Sequence, residues 1–379
     1  MLSEFKVSAR VLSMLACPKT HRRLAIRPAT PADQELAAIG RTGFTAPRLP
    51  ITSHLAQTDD GEYSYPVADG FPALLWPEVH TRASAPETVD LGHRNYAEAY
   101  AEMEHYNPTS LERALKIRES DAYGTVSRLL EAKPPVEKFP KPLALWLDAL
   151  HDTGAQGDSY SFLAPMVGKT FVQLGGDGRH AVKAAMAGAA DGILITPMIG
   201  EAVFAWTLAG IAGVQDRFSC ILGVGEQIPL LDGCIDAMYS PGCLHHMSLP
   251  TALPEIRRVL KIGGRFCGHE PWRAPLYGVG TWLFGKREHG LLERSKSIFC
   301  KPFTPERLQP LGEIFPNHTI RNHGPLLRYP LIALQKFGIR FRIGTMIRLA
   351  SFDDRLGRGL GIGSRWGGSV MLGGEKTAD

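Results

Sequence analysis

The sequence predicts an α/β fold in which helices cover both faces of a parallel sheet, preceded by a small N-terminal β-rich domain. Three observations support this prediction. Short apolar runs alternate with amphipathic segments from about residue 166 onward, and the first run ends in a glycine-rich turn at 175–178. The composition, 44% hydrophobic and 21% charged, is typical of a globular protein. Strands separated by single helices favour parallel pairing through right-handed crossovers.

Breaks in composition place the boundaries between the parts of the 379-residue chain. We expect a small β-rich domain over residues 1–80, a helical connector or cap over 81–165, and the main α/β domain over 166–379, with a C-terminal extension over 275–379. Prolines punctuate the connector, and its apolar residues recur at helical spacing. Helices are expected there at 96–103, 122–132 and 143–150.

The N-terminal domain carries the strand and turn signals of a small β unit. Residues 5–15 are expected to form one short helix, residues 24–26 a strand, and residues 63–75 two strands joined by a tight Asp-Gly turn. The intervening segment, 28–61, is rich in Pro, Thr, Ala and Asp, so it is expected to be a long loop.

The main domain is predicted as alternating strands and helices. Strands are expected at 170–174, 192–196, 218–222, 234–239, 264–269 and 368–372. Helices are expected at 179–188, 200–212, 250–260 and 304–314. In a parallel sheet of this kind, ligands bind outside the carboxyl ends of the strands.

A glycine-rich turn follows the first strand of the main domain, where Gln173 precedes Gly175, Gly176 and Gly178. Glycines allow the backbone to approach a ligand closely, and the helix that begins after them presents unpaired amides. This pattern indicates a cofactor site. The spacing from Gly176 to Ala181 also fits the fingerprint of dinucleotide-binding proteins.

Two further motifs belong to the same block of sequence. One is the turn at 223–236, and the other is the segment 255–265, which contains Glu255 and Arg258. In this order the motifs resemble those of class I S-adenosyl-L-methionine (SAM)-dependent methyltransferases, of the type 11 group. The resemblance implies that Glu255 and Arg258 hold their helix in place. The resemblance implies a Rossmann-like sheet, SAM as the cofactor, and a final antiparallel strand, 368–372, at the edge of the pair that closes the sheet.

The resemblance also implies a set of cofactor-binding residues. They are Gln173, Gly175, Gly176, Gly178, Thr196, Glu201, Glu226 and Gln227. Three positions where the family usually has an acidic residue hold Gln173, Thr196 and Val224. Glu201 either replaces the ribose-binding carboxylate or is a solvated residue that the helix dipole stabilises.

Candidate catalytic side chains follow the fourth and fifth predicted strands. They are His245, His246 and Glu270, with His269 as a further candidate base. Methyl transfer depends mainly on orientation, and a general base is required only when the acceptor atom carries a proton. The paired histidines are also compatible with a structural role. No metal site is predicted, because adjacent histidines rarely point at one ion.

Part of the N-terminal domain has a resemblance of its own. The segments 15–24 and 65–74 are similar to the zinc-ribbon-like family that includes the activator subunit of tRNA methyltransferases. Zinc-binding members carry a second cysteine soon after the first, where this chain has Thr20 and His21. The resemblance therefore implies a metal-free relative. The alternative is a β unit that simply packs on the main domain.

Charge and cysteine content restrict the partners and the compartment. The six cysteines are scattered without metal-binding spacing, which favours a reducing cytoplasm. A net charge of +4 gives no reason to expect nucleic acid as a partner. No stretch is apolar enough to span a membrane. The basic and apolar segment 329–350 either contacts a membrane surface or a greasy substrate, or forms an amphipathic helix that packs on the sheet.

Together, these patterns predict a cytoplasmic SAM-dependent methyltransferase that acts on a small-molecule acceptor. The alternative is a catalytically degenerate methyltransferase-like protein that serves as a binding or partner-regulating module. Its basis is the loss of the three acidic residues beside an activator-like domain. A third possibility is that the bound sulfonium assists a reaction other than methylation.

Overall fold

A computed structural model gives the fold of the chain, and it describes residues 5–33, 54–68, 70–74, 153–273, 302–339 and 341–378. The helices predicted within 96–150 lie outside these residues. The strands are β1 (Leu24–Pro28), β2 (His54–Thr58), β3 (Ser64–Ala68), β4 (Phe71–Pro72), β5 (Thr170–Leu174), β6 (Asp191–Thr196), β7 (Phe218–Leu222), β8 (Ile235–Pro241), β9 (Leu260–Pro271), β10 (Thr319–His323) and β11 (Ser369–Glu375). The helices are α1 (Ala9–Leu12), α2 (Thr153–Leu163), α3 (Arg179–Met186), α4 (Ile199–Ile211), α5 (Leu249–Val259), α6 (Gln309–Ile314), α7 (Arg328–Lys336), α8 (Ile343–Gly359) and α9 (Gly363–Trp366).

The main domain is a seven-stranded sheet with the order β10-β11-β9-β8-β5-β6-β7. Strands β5 to β9 pair in parallel, as predicted, in a doubly wound arrangement. β11 is antiparallel to both of its neighbours. The prediction of an edge position for β11 is wrong, because the unpredicted β10 lies outside it. β10 is short and half polar, which suits an exposed edge strand. For the same reason its sequence contains no apolar run that would predict a strand.

The sheet is covered on both faces because its central strands are buried on both sides. In β5 every residue is buried, and successive side chains point to opposite faces. Phe171 packs with α2, α3 and α4 in one core. Val172 packs in the other core, with α5, α6 and the N-terminal residues. The described end of the expected connector, α2, is therefore part of the main core.

The N-terminal unit is a four-stranded antiparallel sheet in the order β1-β2-β3-β4. The short helix predicted within residues 5–15 is present as α1 but spans only four residues, since Ser8 caps it and the chain turns away after Leu12. The prediction of a long loop at 28–61 is wrong. β2 lies inside the expected loop at 28–61, because tertiary pairing with β1 and β3 overrides its weak local pattern.

This unit is attached to the main sheet by backbone hydrogen bonds along β7. The amide of Leu74 donates to the carbonyl of Leu222 at 2.8 Å. The amide of Ala16 donates to the carbonyl of Pro229 at 3.1 Å, in the loop after β7. The N-terminal unit thus covers the β7 edge, which would otherwise expose unpaired backbone groups.

The segment 329–350 forms parts of two helices, α7 and α8, and not the single amphipathic helix considered from the sequence. Gly338 adopts a φ of +82° in the turn after α7, a conformation that suits glycine and ends the helix. In the part of the chain that the structure describes, no helix is long and apolar enough to cross a membrane.

Candidate functional site

The carboxyl ends of the parallel strands bring the predicted site loops to one edge of the sheet. The glycine-rich turn follows β5, Thr196 ends β6, and Glu226 lies in the loop after β7. His245 follows β8, and Glu270 lies near the end of β9. Because these strands are parallel, their ends meet at the same edge, which is where ligands bind in doubly wound sheets.

The glycine-rich turn needs its glycines for conformation and for close packing. Gly175, Gly176 and Gly178 have φ values of 76°, 73° and 77°, which other residues rarely adopt. A Cβ on Gly178 would lie 2.3 Å from the Cβ of Ala205 in α4. A Cβ on Gly175 would lie 2.6 Å from the Sγ of Cys243. The turn is thus pressed against both α4 and the loop after β8.

Gln173 is fully buried, and its side chain holds this turn in place through hydrogen bonds. Its Oε1 accepts hydrogen bonds from the amides of His180, at 2.9 Å, and Ala181, at 3.0 Å, in the first turn of α3. Its Nε2 donates to the carbonyl of Gly175 at 2.8 Å. The amide group is therefore used within the protein, as a helix cap and a clamp on the turn.

Other amides of the turn remain available to a ligand. Among the described residues, the backbone amides of Gly176 and Gly178 donate to no acceptor. Both glycines precede the start of α3, where the helix dipole favours negative charge. A carboxylate-bearing cofactor such as SAM fits these unpaired donors.

Thr196 and Glu201 form one unit at the end of β6. The Thr196 hydroxyl is buried and lies 2.6 Å from the Oε2 of Glu201, in the first turn of α4. It also accepts the amide of Met198 at 3.2 Å. Thr196 therefore holds the Glu201 carboxylate at the strand end, although the carboxylate comes from the following helix.

Glu226 and Gln227 lie in the loop after β7. The Oε1 of Glu226 accepts the amide of Ser248 at 3.2 Å, which links this loop to the start of α5. The amide of Gln227 donates to the carbonyl of Val224 at 3.4 Å, which closes a tight turn. Glu226 is 6% exposed, so one function of its carboxylate is to join the two loops.

Glu255 and Arg258 of α5 brace the same loop, as the sequence predicts. Glu255 accepts the amide of Ile228 at 2.9 Å, and Arg258 donates to the carbonyl of Ile228 at 2.8 Å and to that of Leu230 at 2.7 Å. Burial opposes the charge of Arg258, but hydrogen bonds to Glu255 and Asp232 raise its pKa above the ordinary value. The arginine thus stays charged and bridges helix and loop.

His245 and Glu270 form a hydrogen-bonded pair at the ends of β8 and β9. The Glu270 carboxylate is buried and accepts the amides of Cys243, at 3.1 Å, and Leu244, at 2.9 Å. Its Oε2 lies 2.7 Å from the Nδ1 of His245. The His246 ring packs against that of His245 with centroids 4.1 Å apart. A carboxylate on Nδ1 fixes the ring orientation and leaves Nε2 for proton transfer.

A buried cluster of histidines and tyrosines lies beside the glycine-rich turn and was not predicted from the sequence. The Tyr160 hydroxyl lies 2.5 Å from the Nδ1 of His180 and 3.3 Å from the Nζ of the buried Lys183. The His180 ring contacts the Tyr239 ring edge-on at 4.9 Å, and the Tyr239 hydroxyl bonds to the Nδ1 of His269. The cluster draws its residues from α2, α3, β8 and β9, so only the folded chain brings them together.

No group of three or more His, Cys, Asp or Glu residues is arranged to hold a metal ion within the described ranges. None of the five cysteines in those ranges, Cys17, Cys220, Cys234, Cys243 and Cys267, forms a disulfide.

The strand order and the glycine-rich turn at its centre define a Rossmann-like cofactor-binding domain, which confirms the predicted fold class. Residues 176–268 match the family described as a methyltransferase domain. This segment contains Gly176 and Gly178 of the turn, Glu201, Glu226 and the paired histidines, and it ends two residues before Glu270. The match supports the methyltransferase resemblance found from the motifs.

Comparison with individual proteins agrees with this match. The ubiquinone/menaquinone biosynthesis C-methyltransferase UbiE of Rubrivivax gelatinosus is 34% identical over 140 residues, which cover 33% of this chain and 54% of the relative. The chain thus spans about half the length of that curated relative.

Solved structures with some similarity to the chain include two methyltransferases. Geranyl diphosphate C-methyltransferase from Streptomyces coelicolor A3(2) has a TM-score of 0.45 and 17% identity, over 65% of this chain and 90% of its own. Haemonchus contortus phosphoethanolamine N-methyltransferase 2 has a TM-score of 0.40 and 15% identity, over 58% of this chain and 52% of its own.

Proposed function

We propose that this protein is a SAM-dependent methyltransferase that transfers a methyl group to a small-molecule acceptor. The observation that carries the proposal is the site at the strand ends. Unpaired amides of the glycine-rich turn, the Glu201 carboxylate and the His245–Glu270 pair lie at one edge of a doubly wound sheet. The methyltransferase-domain match over 176–268 covers these residues except Glu270, which lies two residues beyond its end.

The cofactor contacts follow from the donors and acceptors at this edge. The amides of Gly176 and Gly178 bind the carboxylate of the cofactor, and Glu201 accepts the ribose hydroxyls. Glu226 and Gln227 lie in the loop that faces the adenine. Gln173 and Thr196 act indirectly, because their polar groups hold the turn and Glu201 in place.

When bound, SAM supplies an electrophilic methyl group on a sulfonium centre. His245 is the candidate base, since its Nδ1 is held by Glu270 and its Nε2 is the remaining basic atom of the ring. Glu270 is a positioning residue, because it is buried and accepts hydrogen bonds from three residues of the loop. The tilted His246 ring packs against that of His245 and restrains it.

The test is isothermal titration of the full chain with SAM and S-adenosylhomocysteine, with NAD as the control ligand. We expect micromolar binding of both sulfur ligands and none of NAD. Glu201→Gln should weaken SAM binding by about ten- to a hundredfold, since a charged hydrogen bond to the ribose is lost. Glu313→Gln, at an exposed position of α6, is the matched control and should bind SAM as the wild type does.

A second candidate function is a catalytically degenerate binding or partner-regulating module. This function is favoured by Gln173, because its side-chain oxygen already accepts two backbone amides of α3 and therefore cannot replace a cofactor-binding carboxylate. Failure of the protein to bind SAM and S-adenosylhomocysteine in the titration would give this function precedence. Copurification of an enzyme that requires this chain would then support it.

The similarity to a C-methyltransferase makes carbon acceptors the first to screen. We further propose that the β-rich unit over 1–80 is a metal-free relative of the tRNA methyltransferase activator, that 81–165 is a connector or cap whose last helix, α2, packs in the main core, and that 166–379 is the catalytic domain with a C-terminal extension over 275–379. Scattered unpaired thiols support the cytoplasm as the compartment. Metal analysis of the purified protein tests the first of these assignments, and bound zinc would contradict it.

A further inference from the structure

An outward-facing stripe of α8 combines apolar and basic side chains. Phe352, Leu356 and Leu360, the last of which caps the end of the helix, recur every four residues and are 55%, 36% and 58% exposed. Residues at this spacing lie along one side of a helix. Large apolar side chains in such a row are uncommon on a monomer surface unless the row contacts something.

The charges around the stripe are all of one sign. Arg348, Arg355 and Arg358 are exposed on α8. Arg348 lies one turn before Phe352 and Arg355 three residues after it, so both flank the apolar row, whereas Arg358 lies on an adjoining side of the helix. Among the described residues, none of these arginines has a carboxylate within ion-pairing distance. The stripe therefore fits a partner that presents both apolar and anionic groups.

The acidic residues of this region are turned inward and already bonded. Between residues 326 and 360 the acidic residues are Asp353 and Asp354. Asp353 is 1% exposed and accepts the amides of Leu326 and Leu327 at the start of α7. Asp354 lies 2.7 Å from the Nδ1 of His323. No carboxylate on the outer side of α8 opposes an anionic surface.

The stripe also lies toward the edge of the sheet that carries the candidate site. β10 is parallel to β9, because β11 is antiparallel to both. The chain leaves β10 at the same edge as the site and continues into α7 and α8. α8 has 17 residues, about 25 Å, which is shorter than a bilayer core. It can lie on a membrane but cannot cross one.

We propose that the outer stripe of α8, formed by Phe352, Leu356 and Leu360 with Arg348, Arg355 and Arg358, docks on an anionic lipid surface. Apolar side chains enter the headgroup boundary, and the arginines pair with lipid phosphates. This docking does not depend on the proposed methyltransferase activity. It would present the site edge to acceptors that reside in the membrane.

The test is cosedimentation of the full chain with vesicles of phosphatidylcholine, with and without phosphatidylserine, in the absence of SAM. We expect binding to the phosphatidylserine vesicles that falls as salt is raised. Phe352→Ser with Leu356→Ser, and separately Arg348→Gln with Arg355→Gln and Arg358→Gln, should each lower the partition coefficient by about tenfold or more.

Matched controls carry equal changes elsewhere on the surface. Ile262→Ser with Ile320→Ser removes apolar side chains that are 71% and 40% exposed, and should bind as the wild type does. The triple variant Arg22→Gln, Arg23→Gln and Arg217→Gln removes three charges at positions distant from α8 and should retain most of the binding.

The proposal is overturned if the protein sediments with neither kind of vesicle, or if the control variants lose as much binding as the stripe variants. A dimer that the Phe352→Ser and Leu356→Ser variant dissociates would likewise overturn it, because the stripe would then join two copies. SAM titration of the same variants reports separately on the proposed function.

Discussion

At the scale of single residues, the positions that depart from the family pattern are held by hydrogen bonds within the fold. Gln173 caps α3, and Thr196 aligns Glu201. The sequence predicts that these positions lie beside the cofactor, but it cannot show where an amide or a hydroxyl will bond. Those partners come from other elements, which only the folded chain brings together.

The His245–Glu270 pair gives the first residue-scale prediction. His245→Gln should lower kcat by about a hundred- to ten-thousandfold if the acceptor loses a proton, because the base is removed. Glu270→Gln should lower kcat by at least about tenfold, since the ring loses the acceptor that orients it. The SAM affinity of both variants should stay close to that of the wild type, as titration would measure.

His246→Gln is the matched control for this prediction, because the hydrogen bond to Glu270 is made by His245, against whose ring His246 packs. It should lose less activity than His245→Gln. A larger loss in His246→Gln, or full kcat in both His245→Gln and Glu270→Gln, would contradict the assignment of the base.

At the scale of elements, the glycine-rich turn depends on the packing of α3 against α4. Gly178→Ala places a methyl group 2.3 Å from the Cβ of Ala205, at a φ of +77°. Gly168→Ala has a similar φ of +70° but meets nothing within 4 Å. We expect Gly168→Ala to cost about 1–2 kcal/mol from backbone strain alone.

The Gly178→Ala variant should cost about 1–3 kcal/mol more than this, because the helices must separate. Denaturant unfolding of the two variants measures the difference. SAM affinity should fall only in Gly178→Ala, since the turn moves with α3. Equal destabilisation of both would show that packing against α4 does not restrict this glycine.

A second element-scale feature joins α2, β10 and α8 through one histidine. The Nδ1 of His323 lies 2.7 Å from Asp354, and its Nε2 lies 3.3 Å from Asp158. Burial opposes the imidazolium, but the two carboxylates outweigh it and raise the pKa of His323 from 6.5 to about 9. The folded protein therefore holds this histidine charged at neutral pH.

A raised folded-state pKa stabilises the protein at low pH and not at high pH. The contribution of His323 should be fully present below about pH 6.5 and disappear as the pH rises through about 9. The pKa difference corresponds to about 3 kcal/mol. In His323→Gln, the free energy of unfolding should be lower and lose this slope between those pH values. The exposed His318→Gln control should keep the slope, and an unchanged slope in His323→Gln would contradict the prediction.

At the scale of the whole molecule, the N-terminal unit and the main domain share one core. Leu15 and Leu230 are fully buried, are bridged by backbone pairing and belong to the same apolar cluster. The sequence patterns predict the two units as separate domains, because each has its own strand signals. Their joint core follows only from the docking on β7.

Leu15→Ala should therefore destabilise the whole chain by about 2–5 kcal/mol, as expected for a large-to-small change in a core. Denaturant unfolding followed by fluorescence and circular dichroism should show one shared transition for both probes. Ile262→Ala, at a position that is 71% exposed, should change stability by less than about 0.5 kcal/mol. Two transitions, with the second unaffected by Leu15→Ala, would show that the units unfold independently.

The sequence by itself determined the parallel sheet, the glycine-rich turn and the edge at which the site lies. These features depend on local periodicity and on glycine conformation, which neighbouring residues fix. Only the tertiary structure decided the inner position of β11, the docking of the N-terminal unit and the pairing of His245 with Glu270. Those contacts join residues far apart in the chain, so their free energy exists only after distant segments have packed together.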